Sequence, residues 1–182
     1  LELPTLYAIS NVAELGAEQF LVRLQAALGN GLRMVQLREK NMPRESLREL
    51  ALRMLPMMQE HGAKLLLNAD SELAREIGAD GVQLSSTQLS SLRERPDVAW
   101  CAASCHGVEE LRRAEALGCD FVLLSPVLPT KSHPGAPNLG WEKFAALTKG
   151  YPLPVYALGG MKPDLLDTAM QHGAHGISLL SG

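Results

Sequence analysis

A chain of 182 residues is long enough for one domain with a sizeable core, and 46% hydrophobic with 20% charged residues is ordinary for a globular protein in water. A formal net charge of -3 and a pI near 6.0, with no basic stripe interleaved by aromatics, argue against nucleic-acid binding. No apolar run reaches the ~20 residues of a spanning helix and no signal-peptide pattern opens the chain, so no membrane is expected. The odd set Cys101, Cys105 and Cys119 suits a reducing cytoplasm better than a disulfide framework.

The chain opens at Leu1 without Met and reads as one domain, residues 1–182, cut from something longer. In order, Thr5 to Ile9 is a first strand, and Ala17 to Leu28 carries apolar residues at helical spacing until Gly29-Asn30-Gly31 stops it. Met34 to Lys40 is the second strand. Pro43 opens a helix to about His61, with Leu47, Leu50, Ala51, Met54 and Leu55 as its buried stripe and Pro56 expected to kink or split it. Lys64 to Asn68 is strand three, Ser71 to Ile77 a short helix ended by Gly78, and Asp80 to Leu84 strand four. A short helix near Gln88 to Arg93 precedes a fifth strand, Val98 to Ala103. The helix Gly107 to Leu117 closes at Gly118, and Phe121 to Leu124 is strand six. A Pro-rich loop from Ser125 to about Leu139 leads to a helix from Gly140 to Leu147 and strand seven, Leu153 to Leu158. A helix from Pro163 to His172 and strand eight, Gly176 to Leu180, complete the chain.

Strict alternation of strands and helices predicts a parallel sheet covered on both faces. Eight strands are what an α/β (β/α)8 TIM barrel needs, here with the last helix absent beyond Gly182. An open doubly wound sheet is the competing arrangement. The phrases Gly78-Ala79-Asp80, Gly118-Cys119-Asp120 and Gly173-Ala174-His175 reuse one helix-to-strand turn, so Asp80, Asp120 and His175 are expected to be structural.

Met34 to Lys40 carries most of the functional information. Its alternation puts Gln36, Arg38 and Lys40 on one side and Val35 and Leu37 on the other. On a covered face an Arg and a Lys need an anion or water beside them, so an anion site is expected there. In such a barrel chemistry gathers at the C-terminal strand ends, and phosphate is commonly held after strands seven and eight. Gly159-Gly160 offers bare backbone N–H groups after the seventh, and Ser181-Gly182 a hydroxyl after the eighth.

Over nearly its whole length the chain resembles the thiamine phosphate synthase/TenI superfamily. The resemblance is carried by Val35-Gln36-Leu37-Arg38-Glu39-Lys40, Leu67-Asn68, Gly78-Ala79-Asp80-Gly81-Val82-Gln83-Leu84, Ser125-Pro126-Val127-Leu128-Pro129-Thr130 and Ala157-Leu158-Gly159-Gly160-Met161. It implies a (β/α)8 barrel of thiamine biosynthesis. The implied transferase joins a hydroxymethylpyrimidine diphosphate to a hydroxyethylthiazole phosphate, with loss of diphosphate and with Mg2+. By position it implies Gln36, Arg38, Lys40 and Asn68 as pyrimidine-diphosphate ligands, and Ser104 as a further diphosphate contact. Gly160 with Leu180 and Ser181 matches the thiazole-phosphate pocket, and Gly159, Thr130, Lys131 and His133 complete the substrate set. Arg38, Lys40 and Ser104 would carry catalysis. Arg38 can grip a diphosphate bidentately while Lys40 acts as a movable point charge.

The departures from the family pattern concern the metal. The two metal-binding Asp positions are Ala69 and Gln88 here. Mg2+ wants oxygen ligands, typically carboxylates plus substrate phosphates. No metal ligand or cofactor is therefore expected of this chain, and Mg2+ would be held only through substrate phosphates. Asp70 lies one residue along and could substitute, although, if the extended backbone persists that far, the shift turns its carboxylate to the other face. His133 stands where the family has a Lys, with Lys131 able to reach the same anion. The His that thiazole tautomerase relatives use after strand six is Pro126. Without a metal, the charge of a departing diphosphate falls to Arg38, Lys40 and Lys131.

Cys101, Cys105 and His106 fall short of a structural zinc pattern. Cys101 reads as core, whereas Cys105 and His106, beside Ser104, could supply a reactive thiol or an acid/base group. Trp100 and Trp141 read as packing. Three functions stay open: a synthase weakened by the loss of both carboxylates; a TenI-like metal-independent enzyme, for which no general base is at hand; and a non-catalytic or regulatory ligand-binding domain. For the third, Ser132-His133-Pro134-Gly135 and the missing carboxylates resemble the C-terminal domain of MutT-type Nudix hydrolase fusions, which are 8-oxo-dGTP diphosphatase-like. That implies a covalently linked N-terminal Nudix domain as partner, beside a small phosphorylated ligand.

Overall fold

Successive residues of a strand face opposite ways, and here both directions are apolar along most strands, as a sheet buried on two faces requires. The computed structural model, which describes residues 2–131 and 135–180, shows how that pattern closes. The strands are β1 (Leu6–Ile9), β2 (Met34–Leu37), β3 (Lys64–Asn68), β4 (Gly81–Leu84), β5 (Trp100–Cys105), β6 (Phe121–Leu124), β7 (Val155–Ala157) and β8 (Gly176–Leu180). They pair in parallel and in sequence order, and β8 returns to β1, so the fold is a closed (β/α)8 barrel. Around it lie α1 (Val12–Leu15), α2 (Ala17–Gly29), α3 (Arg44–Glu60), α4 (Ser71–Ile77), α5 (Ser86–Ser91), α6 (Val108–Leu117), α7 (Gly140–Thr148) and α8 (Leu166–Gln171). Among the described residues no helix is long and apolar enough to cross a membrane.

The expected elements are present, with instructive differences. Strand two ends at Leu37 rather than Lys40, because the Arg38 N–H is taken by the Ser10 hydroxyl at 2.8 Å and leaves the ladder. The short α1 has no counterpart among the expected helices. Pro56 neither splits nor ends α3. The carbonyl it leaves without a donor is that of Leu52, on the exposed face, where water can serve it. Strand five starts at Trp100 rather than Val98, since Arg95 gathers the carbonyls of Val98 and Ala99 into a clasp. The last expected helix begins as a 3-10 turn, Pro163–Leu165, before α8.

Strand residues divide between two sides of the wall. Tyr7, Met34, Leu66, Ala102, Phe121, Leu123 and Tyr156 cluster inside the barrel, with Tyr7, Phe121 and Tyr156 meeting edge to face. The alternate residues Ala8, Val35, Leu37, Leu65 and Leu67 pack outward with Phe20, Leu24, Leu50 and Met54 of α2 and α3. The repeated turn residues are structural, as expected: Asp80 accepts the Leu65 N–H and Asp120 the Cys101 N–H, both at 2.8 Å, and the His175 ring meets the Leu3 carbonyl at 2.9 Å. Trp100 meets Phe121 edge to face and Trp141 stacks on His172, so both are packing residues.

The tightest strand contact is at Gly81, where a Cβ would lie 2.0 Å from the Trp100 carbonyl oxygen of the paired strand. Gly81→Ala should therefore cost about 3 kcal/mol or more, read as a fall of roughly 6–12 °C in the thermal unfolding midpoint.

Candidate functional site

The upper interior of the barrel is polar where the lower interior is aromatic. Gln36, Gln83 and Ser178 are fully buried, and Asn68 and Ser104 half-buried, on alternate inward positions of β2, β4, β8, β3 and β5. The Tyr7 phenol donates to Gln83 Oε1 at 2.9 Å, Gln83 Nε2 donates to Ser104 Oγ at 3.2 Å, and Ser178 donates to the Tyr7 carbonyl at 2.7 Å. Burial pushes the Tyr7 phenol well above its ordinary pKa, with a hydrogen bond from Gln36 opposing in part, so it serves as a donor and not as a base. Gln36 Oε1 is buried without a hydrogen-bond partner among the described residues. An orphaned acceptor costs about 1–3 kcal/mol, and a donor group on a ligand, or water, would relieve it. Asn68, level with Gln83 across the β3–β4 pairing, has no side-chain partner among the described residues either.

Arg38 and Lys40 are not on this covered face. Both lie past the end of β2 and are exposed at the rim, so, contrary to the expectation from strand alternation, burial alone does not demand an anion beside them. Neither side chain has a partner among the described residues. They border a cleft of about 420 Å³ that also includes Ser10, Met42 and Leu180. Between them Glu39 accepts the Ser10 hydroxyl at 2.5 Å and the N–H groups of Val12 and Ala13 at 3.2 Å.

Gly159 and Gly160 follow β7 in left-handed conformations, φ 108° and 69°. A Cβ on Gly159 would lie 2.9 Å from Pro126 Cα and Val127 N, and one on Gly160 2.8 Å from the Pro129 carbonyl. Close packing on the loop after β6 therefore requires both glycines, whatever they bind. Their N–H groups have no acceptor among the described residues, which leaves them free for an anion. Thr130 is half-buried and Lys131 exposed in the same loop, and Leu180 is 53% exposed at the end of β8. His133 and Ser181, with Gly182, lie outside the described residues.

The two positions read as lost metal carboxylates are neighbours in space. Gln88 Nε2 donates to the Ala69 carbonyl at 2.8 Å, and Gln88 Oε1 accepts the Ser85 N–H at 3.2 Å, closing a capping box on α5. Both ends of the amide are thus in use. Ala69 sits at φ 63°, a left-handed conformation that Asp or Asn enters more readily. Asp70 does not substitute: it caps α4 through the Leu73 N–H at 2.9 Å and pairs with Arg44 at 3.0 Å. Burial would raise its carboxyl, but the hydrogen bonds from Arg44 and Leu73 and the Arg44 charge hold it below the ordinary value. These residues do not fit Mg2+, and no group of three His, Cys, Asp or Glu able to hold a metal occurs among the described residues.

Cys105 faces the helices, and burial pushes its thiol up to about 12, so it is not the reactive thiol that its position next to Ser104 suggested. His106 is exposed and held by Glu110 at 3.1 Å. Cys101 is core, its sulfur 4.0 Å from that of Cys119. Sequence reasoning missed Tyr7, Ser10, Glu39 and Gln83. Of these Gln83 carried a signal, a lone amide in the apolar run Gly81-Val82-Gln83-Leu84.

A closed parallel barrel with a polar floor and a cation-bearing rim at its C-terminal strand ends belongs to the class of small-molecule enzymes and ligand-binding barrels. A sequence profile of the thiamine monophosphate synthase family matches residues 6–182, and the chain belongs to that family. An Aquifex aeolicus protein provisionally described as thiamine-phosphate synthase 2 is 36% identical over 183 residues, covering 100% of this chain and 98% of its own. The thiamine-phosphate synthase of Herpetosiphon aurantiacus is 33% identical over 179 residues, covering 97% of this chain and 86% of its own. The solved thiamine phosphate pyrophosphorylase of Pyrococcus furiosus superposes with a TM-score of 0.81 at 26% identity, over 97% of this chain and 85% of that one.

Proposed function

We propose that this barrel binds a phosphorylated thiazole and a pyrimidine-diphosphate-type ligand of thiamine biosynthesis at its C-terminal mouth, without a protein-held metal and with little or no synthase turnover. The observation that carries the reading is the hydrogen bond from Gln88 to Ala69, which joins the two positions where the family pattern has carboxylates. Arg38 and Lys40 would take the diphosphate, Gln36 and Asn68 the pyrimidine, and Ser104 an oxygen of the diphosphate. Gly159, Gly160, Thr130, Lys131 and Leu180, with His133 and Ser181, would hold the second phosphate. Expelling diphosphate by transfer then relies on Arg38, Lys40 and Lys131, where a metal supplies several kcal/mol in comparable sites.

A second reading rests on the sequence resemblance, which shares the missing carboxylates: a C-terminal ligand-binding domain of a MutT-type Nudix hydrolase fusion, in which hydrolysis of nucleotides belongs to another domain. A TenI-like proton-transfer enzyme is less well supported: Pro126 follows β6, and Cys105 is buried.

The test measures binding and turnover side by side. Calorimetry with the thiazole phosphate should give the same affinity in Mg2+ and in EDTA. Thiamine phosphate formation should be under roughly a hundredth of that of a family member with both carboxylates, since each 1.36 kcal/mol of lost transition-state stabilisation costs tenfold. Ordinary turnover that EDTA abolishes would overturn the proposal.

A further inference from the structure

We infer that Glu39, which lies beside the proposed anion ligands without being one, is a positioning residue that holds Arg38 and Lys40 ready for diphosphate. The inference rests on the reading of those two cations as diphosphate ligands. A carboxylate between two exposed cations in a loop is placed to pair with either of them. Glu39 pairs with neither. Its Oε2 accepts the Ser10 hydroxyl at 2.5 Å and the Val12 N–H at 3.2 Å, and its Oε1 accepts the Ala13 N–H at 3.2 Å. Uncharged donors in the turn after β1 have taken the carboxylate, and among the described residues neither Arg38 nor Lys40 has an ion-pair partner. Their charge stays available.

The same bonds fix the backbone between the two cations. Ser10 is only 3% exposed, so water does not compete for its hydroxyl. That hydroxyl accepts the Arg38 N–H at 2.8 Å while donating to Glu39, and the Ser10 N–H reaches the Gln36 carbonyl at 2.9 Å. One side-chain oxygen thus ties the loop after β2 to the loop after β1 from two directions. Without Glu39 the hydroxyl keeps only the Arg38 carbonyl, 3.3 Å away, as an acceptor, and the Arg38 to Lys40 loop loses three of its ties.

The sign of the effect separates positioning from simple charge. A carboxylate acting only as a nearby negative charge repels the anion, so removing it would tighten binding. Positioning demands the reverse. Inorganic diphosphate, titrated calorimetrically at fixed ionic strength, should bind Glu39→Ala at least about tenfold more weakly than wild type, and Ser10→Ala comparably. Because both substitutions cut one linked set of bonds, the double variant should be no more than about twofold weaker than the worse single. Glu39→Gln keeps an oxygen for Ser10 and Val12 but cannot accept the Ala13 N–H with its NH2, and should fall between wild type and Glu39→Ala.

Unchanged or tighter binding by a folded Glu39→Ala protein overturns the inference and leaves the anion site standing. If Glu39→Ala does not fold, Ser10→Ala carries the same test with the same expected loss. A wild-type chain that fails to bind diphosphate overturns the anion site, and the role of Glu39 with it.

Discussion

Replacing Arg38 by alanine should lower the affinity for inorganic diphosphate by about a hundredfold or more, the equivalent of roughly 2.7 kcal/mol and the scale of a bidentate, charge-assisted contact. The expectation is this large because nothing among the described residues competes for the guanidinium. Among the described residues Arg38 has no side-chain partner, so binding need break no existing bond. Its backbone alone is engaged, the N–H donating to the Ser10 hydroxyl at 2.8 Å and the carbonyl lying 3.3 Å from the same oxygen. The substitution should leave folding almost untouched, since the side chain is exposed beyond the end of β2. Surface changes of this kind usually stay within about 0.5 kcal/mol. Arg38→Lys is a sharper probe than it looks. It keeps the charge but loses the planar fork, and should recover about a tenth of the wild-type affinity or less. Calorimetry on the three proteins, with thermal unfolding as the control, decides the matter. Equal affinities for wild type and Arg38→Ala would remove Arg38 from the site.

The order of elements was open to sequence reading because the chain repeats one unit. Glycines after helices, at Gly78 and Gly118, sit in the left-handed conformation that ends a helix, and the Asp two residues beyond each ties the next strand to the one before. Alternation inside single strands was equally readable: Gln36 is inward and buried, as its spacing requires. What could not be read was where a strand gives way to a loop. Arg38 and Lys40 continue the alternation in sequence, but a hydroxyl 28 residues earlier captures the Arg38 N–H and ends the ladder. Nothing near residue 38 announces that contact. The bonding within the polar floor was hidden for the same reason, although Gln36, Asn68 and Ser104 were readable as site residues: Tyr7, Gln83 and Ser104 come from three different strands and meet only once the barrel closes. Gly159 and Gly160 illustrate a subtler limit. Their left-handed conformation fits an anion loop, yet packing on Pro126 and Pro129 already demands it.

The pair at positions 69 and 88 offers the reverse experiment, installing what the site lacks. Gln88→Asp breaks the bond to the Ala69 carbonyl and half of the capping box, at a cost of about 1 kcal/mol. Ala69→Asp places a carboxylate at a left-handed position where Asp is better tolerated than Ala, which offsets part of that cost. With both changes, two negative charges stand at the tops of β3 and β4 with no protein cation assigned to them. They repel each other in the free protein, and a divalent cation relieves the repulsion. The double variant should therefore gain stability from Mg2+ where the wild type gains none. For a site of ~1 mM affinity, 10 mM Mg2+ stabilises the folded state by about 1.4 kcal/mol, or roughly 3–6 °C in the unfolding midpoint. Diphosphate affinity should acquire a dependence on Mg2+ in the same variant. Each single variant supplies one carboxylate and should show less than half of the shift. If the double variant melts at the same temperature with and without Mg2+, the two positions do not form a metal site even when given the right groups. The bond between Gln88 and Ala69 would then be an ordinary helix cap with no bearing on metal dependence.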